Sequence, residues 1–151
     1  MPTGHHLAQV NIARMRAPID DPLMASFRAK LDEVNAAAEQ SSGFVWRLQD
    51  DTGDATAIRA FEDPLILINM SVWRDLESLQ DYTYRSTHLA VLRDRKHWFE
   101  KMDGPPVALW WIPEGHTPTA DEGKLHIAML MKNGPTADSF TFQQAFEAPA
   151  A

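Results

Sequence analysis

LILINMSVW, residues 65–73, decides how this chain folds. The run is rich in β-formers and apolar on both sides, as a strand buried on both faces requires. Only Asn69 and Ser71 interrupt it. Asp75 comes two residues after its end and can cap a helix over DLESLQDYTYR (75–85), so the chain passes from strand to helix almost without a loop.

Upstream of this pair, FVWRLQD (44–50) reads as a strand and DDTGDATAI (50–58) as a polar turn region. Before it, residues 20–43 open on an Asp cap and Pro22 and close near Gly43. Leu23, Phe27, Leu31 and Val34 recur at helical spacing between them, which predicts an amphipathic helix. HLAQVNIARM (6–15) alternates as a strand does. Ala8, Val10 and Ile12 take one face and Leu7, Gln9, Asn11 and Ala13 the other, so two amides share the second face.

Downstream, the helix bends at Ser86 or Thr87 and continues through HLAVLRDRKHWFEKM (88–102) until DGPP ends it. PVALWWIP (106–113) is a short aromatic strand and EGHTPT (114–119) a loop. Thr119 caps a further helix over ADEGKLHIAMLMKN (120–133), which Gly134 and Pro135 stop. SFTFQQAF (139–146) reads as a small strand or extended arm, and EAPAA should fray.

The order is βαββαβ with an extra C-terminal helix: an α+β, ferredoxin-like pattern. No linker divides residues 1–151, so a single domain with its core at about 6–146 is expected. Two helices cover one face of such a sheet. The other face needs a cover, and a second copy of the same sheet in an isologous homodimer is a common one.

Composition narrows the chemistry. The chain has no cysteine, which excludes disulfides, thiolate metal sites and thiol nucleophiles. Its net charge is −7, and its Lys and Arg residues are scattered apart from Arg93, Arg95 and Lys96, a poor match to phosphate neutralisation on nucleic acid. No apolar run is long enough to span a membrane, and no basic segment followed by an apolar one marks secretion, so a cytoplasmic setting is the expectation. No histidine pair with an acidic partner has metal-ligand spacing, and no phosphate loop, nucleotide fingerprint or nucleophile elbow is visible.

The polar residues in apolar settings are the candidate site. On a wheel of about 100° per residue, Tyr84, His88, Val91, Leu92, Arg95, Trp98 and Phe99 share an arc of about 120°, with His88 and Arg95 near its centre. A neutral imidazole there can serve as general base or ligate a haem iron; it can equally be a buried histidine bonded to a backbone carbonyl or to Tyr84. Arg95 can grip a carboxylate, an enolate or a haem propionate, or snorkel towards an acidic neighbour. Asn11 and Asn69 stand mid-strand, where amides are costly unless partnered. They either bond within the sheet or point into a cavity and donate to a substrate oxygen. Trp73, Trp98 and Trp110 fill a core or line a pocket, and Trp110 and Trp111 must face opposite ways. His116 reads as a loop-fixing hydrogen bonder, and His126 has no constellation around it.

Several phrases together resemble a known family: NIARMRAPIDDP, GFVWRLQD, NMSVWRDLESLQDYTYRSTH, HWFEKM, LWWIPEGHTPT and NGPTADSFTF. They are similar to a bacterial family of unknown function in the dimeric α/β-barrel superfamily, related in fold to the antibiotic-biosynthesis monooxygenases. The resemblance implies the ferredoxin-like fold and a homodimer. The wider superfamily includes cofactor-free monooxygenases, haem enzymes, isomerases and cyclases, and fold does not choose among them. In that superfamily an Asn on the first strand, a Trp and a His often form a set; Asn11, Trp73 and His88 match by position. The expectation is a small-molecule enzyme acting on a hydrophobic aromatic or enolic substrate. His88, Asn11 and Arg95 would be catalytic, Tyr84, Asn69, Trp73, Trp98 and Trp110 would bind substrate, and no cofactor would be needed. Haem on His88 and a non-catalytic ligand-binding module are the alternatives.

Overall fold

The computed structural model describes residues 4–49, 61–85, 88–101 and 107–149, and the side chains of all these except residues 85–92. The elements run in the order β1 (His5–Met15), α1 (Ala25–Gln40), β2 (Phe44–Arg47), β3 (Ile66–Trp73), α2 (Leu76–Arg85), α3 (His88–Trp98), β4 (Phe99–Glu100), β5 (Val107–Pro113) and α4 (Ala120–Asn133). The expected turn DDTGDATAI and the DGPP stop lie outside the described residues.

β1 and β3 form the centre of one antiparallel sheet in which β2 flanks β3, and β4 and β5 pair with different stretches of β1. This is the ferredoxin-like α+β arrangement predicted from the element order. The register sets Leu7 opposite Trp73, Gln9 opposite Ser71 and Asn11 opposite Asn69. Because side chains alternate along a strand, these six residues share one face, while Ala8, Val10, Ile12, Ile68, Met70 and Val72 share the other.

On the first face, two apolar clusters lie under α1, α2 and α3. Leu7, Trp73, Leu109, Ala38, Leu79 and Phe140 form one, and Met15, Leu67, Met24, Phe27 and Trp98 form the other. Asp21 accepts from the Leu23 N–H and caps a 3-10 turn at Pro22–Met24 rather than α1 itself. That turn shifts the phase, so Met24 is buried and Leu23, expected on the apolar stripe, is 48% exposed.

The second face carries a correction. It was expected to need the sheet of a partner, but α4 of the same chain packs on it through Ile127 and Leu130. Gly123 lets α4 approach closely: a Cβ there would meet Met70 Sδ and Val10 Cγ2 at 3.0 Å. Ile68, Met70 and Val72 are thereby buried within one chain, and the argument for a dimer from uncovered apolar surface falls away. Thr119 caps α4 by accepting from the Glu122 N–H at 3.2 Å, and Gly134 ends it at φ +70°, both as predicted. The expected C-terminal arm pairs with β5, Leu109 and Phe140 exchanging backbone hydrogen bonds at 2.8 and 2.9 Å. Among the described residues no helix is long and apolar enough to cross a membrane.

Candidate functional site

A block of four polar side chains, Gln9, Asn11, Asn69 and Ser71, interrupts the apolar surface between the two clusters on the helix-covered face. β5 closes one flank, with Leu109 opposite Gln9 and Val107 opposite Asn11. β2 closes the other with Arg47 opposite Ser71. Asn69 is exposed and Asn11 half-buried, although both lie mid-strand at the centre of the sheet and their neighbours Ile68, Met70, Val10 and Ile12 are buried. β3 is therefore not buried on both faces as its composition predicts. Solvent reaches the sheet between the helices.

The hydrogen bonds of the block leave donors over. The Trp73 indole N–H donates to Ser71 Oγ at 2.8 Å. Gln9 Nε2 donates both its hydrogens, to Ser71 Oγ and to Asn69 Oδ1, each at 2.9 Å. A hydroxyl that accepts twice still has its O–H to give, and an amide whose oxygen is occupied still has its NH2. Among the described residues neither the Ser71 hydroxyl hydrogen nor Asn69 Nδ2 has an acceptor, and the Asn11 amide has no partner. Donors without acceptors on a solvent-reached stretch of sheet suit an oxygen that is or becomes negative.

Trp73 is fully buried and stacks on Tyr82 of α2 at 5.0 Å between ring centroids, with Phe44 edge-on at 5.5 Å. Tyr82 donates from its hydroxyl to the Val34 carbonyl at 3.2 Å, and burial pushes that hydroxyl far above the usual tyrosine pKa, so it stays neutral. Gln9, Ser71, Arg47 and Tyr82 belong to this neighbourhood and were absent from the expected site. Alternation already put Gln9 beside Asn11 and Ser71 beside Asn69, while nothing in FVWRLQD distinguishes Arg47 from an ordinary edge-strand charge.

The other expected residues disperse. Arg95 is exposed, not at the centre of a stripe, whereas Asp94 and Trp98, one turn apart on α3, both meet α1. Asp94 accepts from Lys30 at 3.0 Å, which holds its carboxyl below the usual range, and Trp98 donates to Ser26 Oγ at 2.8 Å. The mismatch lies within α3: Arg95 and Trp98 are three residues apart on it, yet Trp98 is buried and Arg95 exposed, so the arc drawn on the wheel is wider than the strip of α3 that packs; the bend expected at Ser86 or Thr87 lies outside the described residues. Trp98 thus belongs to the cluster of Met24 and Phe27, away from the amides. Tyr84 is 48% exposed and meets Phe142 edge-on at 5.9 Å. Trp110 lies under α4 on the opposite face of the sheet, while Trp111 faces the helix side and donates to the Phe146 carbonyl. The side chain of His88 lies outside the described residues.

His126, read as isolated, stacks on Trp110 at 4.1 Å with the rings 7° apart, beside a hollow of about 460 Å³ on the α4 side. Its polar groups are mutually satisfied: His116 pairs with Glu122 at 2.8 Å, and His126 Nδ1 bonds the Asp138 carbonyl at 2.9 Å. Among the described residues no three His, Asp or Glu side chains gather as a metal site requires.

A family model described as "Domain of unknown function (DUF3291)" matches residues 6–151, nearly the whole chain. The chain belongs to the DUF3291 family. The chain is also similar, at low identity, to several solved structures. One is the NE2512 protein of unknown function from Nitrosomonas europaea, at 12% identity and TM-score 0.48, covering 78% of this chain and 96% of that one. Another is SnoaB, a cofactor-independent oxygenase from Streptomyces nogalater, at 14% identity and TM-score 0.46, with coverage of 74% and 95%. A third is a monooxygenase from the gene ActVA-Orf6 of Streptomyces coelicolor, in complex with nanaomycin D, at 13% identity and TM-score 0.44, with coverage of 79% and 95%. No curated protein matches the sequence. The chemistry of this DUF3291 member must be argued from its own residues.

Proposed function

We propose that this protein is a small-molecule enzyme that works on a hydrophobic aromatic or enolic substrate in the cleft between sheet and helices, without a bound cofactor. The reaction type would be that of a monooxygenase, cyclase or isomerase. The exposed amide of Asn69 carries this reading: it stands mid-sheet on the helix-covered face, between buried Ile68 and Met70 in the chain, with its Nδ2 unpaired among the described residues and free to meet a ligand oxygen. Asn69 Nδ2 and the Ser71 hydroxyl hold the substrate oxygen, Asn11 orients the substrate, and the flanking apolar clusters receive its rings. His88, the first residue of α3, is the proposed base: it would take a proton from the substrate as negative charge develops on the oxygen that Asn69 and Ser71 hold.

The test is a panel of phenols, naphthols and cyclic enols, followed by tryptophan fluorescence for binding and by oxygen uptake and product analysis for turnover. Binding that Asn69→Ala weakens at least tenfold, and turnover that Asn69→Ala and His88→Ala abolish, is expected. Binding and turnover unchanged in Asn69→Ala would overturn the assignment of the site. Haem is scored in the same experiment. A Soret band on haem addition that disappears in His88→Ala would replace the cofactor-free reading.

A further inference from the structure

Arg47 is the one residue around the amide block that carries a formal charge while being almost enclosed: its side chain is 11% exposed, and its Nε is buried with no hydrogen-bond partner among the described residues. The anion paired with it among the described residues, Glu39 of α1, lies 3.3 Å from Nη2 and is half exposed, so water screens much of its charge. A buried guanidinium compensated on one side only is costly to fold, and such a cost persists where a ligand later offsets it. Its position is specific. Arg47 stands directly across from Ser71 on the same face, which puts Asn69 and Trp73 on its diagonals, within about 7–8 Å. Its charge is felt by the neighbouring helix as well, since it partly opposes the upward push of burial on the Tyr82 hydroxyl.

We infer that the proposed site takes its ligand as an oxyanion, an ionised phenol or enol, and that the enclosed guanidinium of Arg47 supplies the balancing positive charge from the β2 side. This rests on the amide block being the binding site. Because Nε is sealed from solvent, Arg47 acts through its field: Asn69 and Ser71 contact the oxygen, and Arg47 makes its negative charge stable there. The role assigned from sequence to Arg95, which is exposed, passes to Arg47.

The probe is 4-nitrophenol, whose acid and anion absorb at different wavelengths, with nitrobenzene as the analogue that cannot ionise. Bound to the wild-type protein, 4-nitrophenol should titrate at least about one pH unit below its free value, a tenfold preference for the anion. Arg47→Lys should keep most of that shift, and Arg47→Met should lose it while nitrobenzene binds all three proteins equally. A shift that survives in Arg47→Met overturns the inference, and so does an Arg47→Met protein that loses nitrobenzene to the same extent. If neither probe binds the wild-type protein, the cleft itself is misassigned; if both bind and the bound pKa is unmoved, only the role of Arg47 fails.

Discussion

The Trp73 indole donates to Ser71 Oγ at 2.8 Å, two residues apart on one strand and pointing to one face. That bond ties the apolar cluster at one end of β3 to the polar block at its centre. It also leaves Ser71 with a proton to offer, since Gln9 occupies the second acceptor position.

Ser71→Ala should therefore cost more stability than its size suggests. It strands the Trp73 N–H and one Gln9 hydrogen in a buried setting, for about 1–3 kcal/mol. Asn69→Ala, at an exposed position, should cost under about 1 kcal/mol while weakening ligand binding. Urea unfolding of both variants checks the order; equal costs would mean that the network is not buried as a unit.

Tyr82 makes the alkaline limb of stability specific. Burial raises its folded pKa well above the unfolded value of about 10, so the folded state keeps a proton that the unfolded chain releases. Its contribution is complete below about pH 10 and is lost as pH climbs towards the folded value. Tyr82→Phe keeps the stack on Trp73 and should flatten the decline in denaturation midpoint measured from pH 9 to 11.

His126 contributes on the acid side. Loss of hydration lowers its pKa, against a smaller raising effect from the hydrogen bond to Asp138. A base with a lowered folded pKa lends stability above its unfolded value of about 6.5, and that stability drains as pH falls through the folded value. Urea midpoints at pH 7.5 and pH 5 should differ more for the wild-type protein than for His126→Gln. Equal differences would show that other groups set the acid limb.

Gly43 joins α1 to β2 at φ +86°, and a Cβ there would fall 2.2 Å from Ser78 Oγ and 2.5 Å from Ser78 Cβ. Gly43→Ala should destabilise by at least about 2 kcal/mol, through the left-handed backbone and the clash together. Ser78→Ala in the same chain should rescue little, because the Cβ contact remains. A thermal melt of the single and double variants decides this.

The positions of the strands and helices were legible because they rest on local signals. The alternation in HLAQVNIARM, the apolar run LILINMSVW, the Thr119 cap and the Gly134 stop each appear where the sequence puts them. Half of the candidate site was legible for the same reason. Asn11 and Asn69 are amides among β-formers, and the antiparallel register sets them side by side. Arg95 misled because an arc of about 120° on a wheel is wider than the strip of α3 that packs: Trp98 is buried, while Arg95, three residues before it, is exposed.

The sequence alone determined the element order, the antiparallel ferredoxin-like class and the family, since periodicity and caps are properties of contiguous residues. Tertiary structure alone decided that α4, not a second sheet, buries Ile68 and Met70. It also decided that Trp110 lies on the far side of the sheet from Asn69, and that Arg47 comes to rest across from Ser71. Those outcomes depend on which face meets which helix and on strand pairings between distant segments. They are set by the packing of the whole core, which no local stretch of sequence encodes.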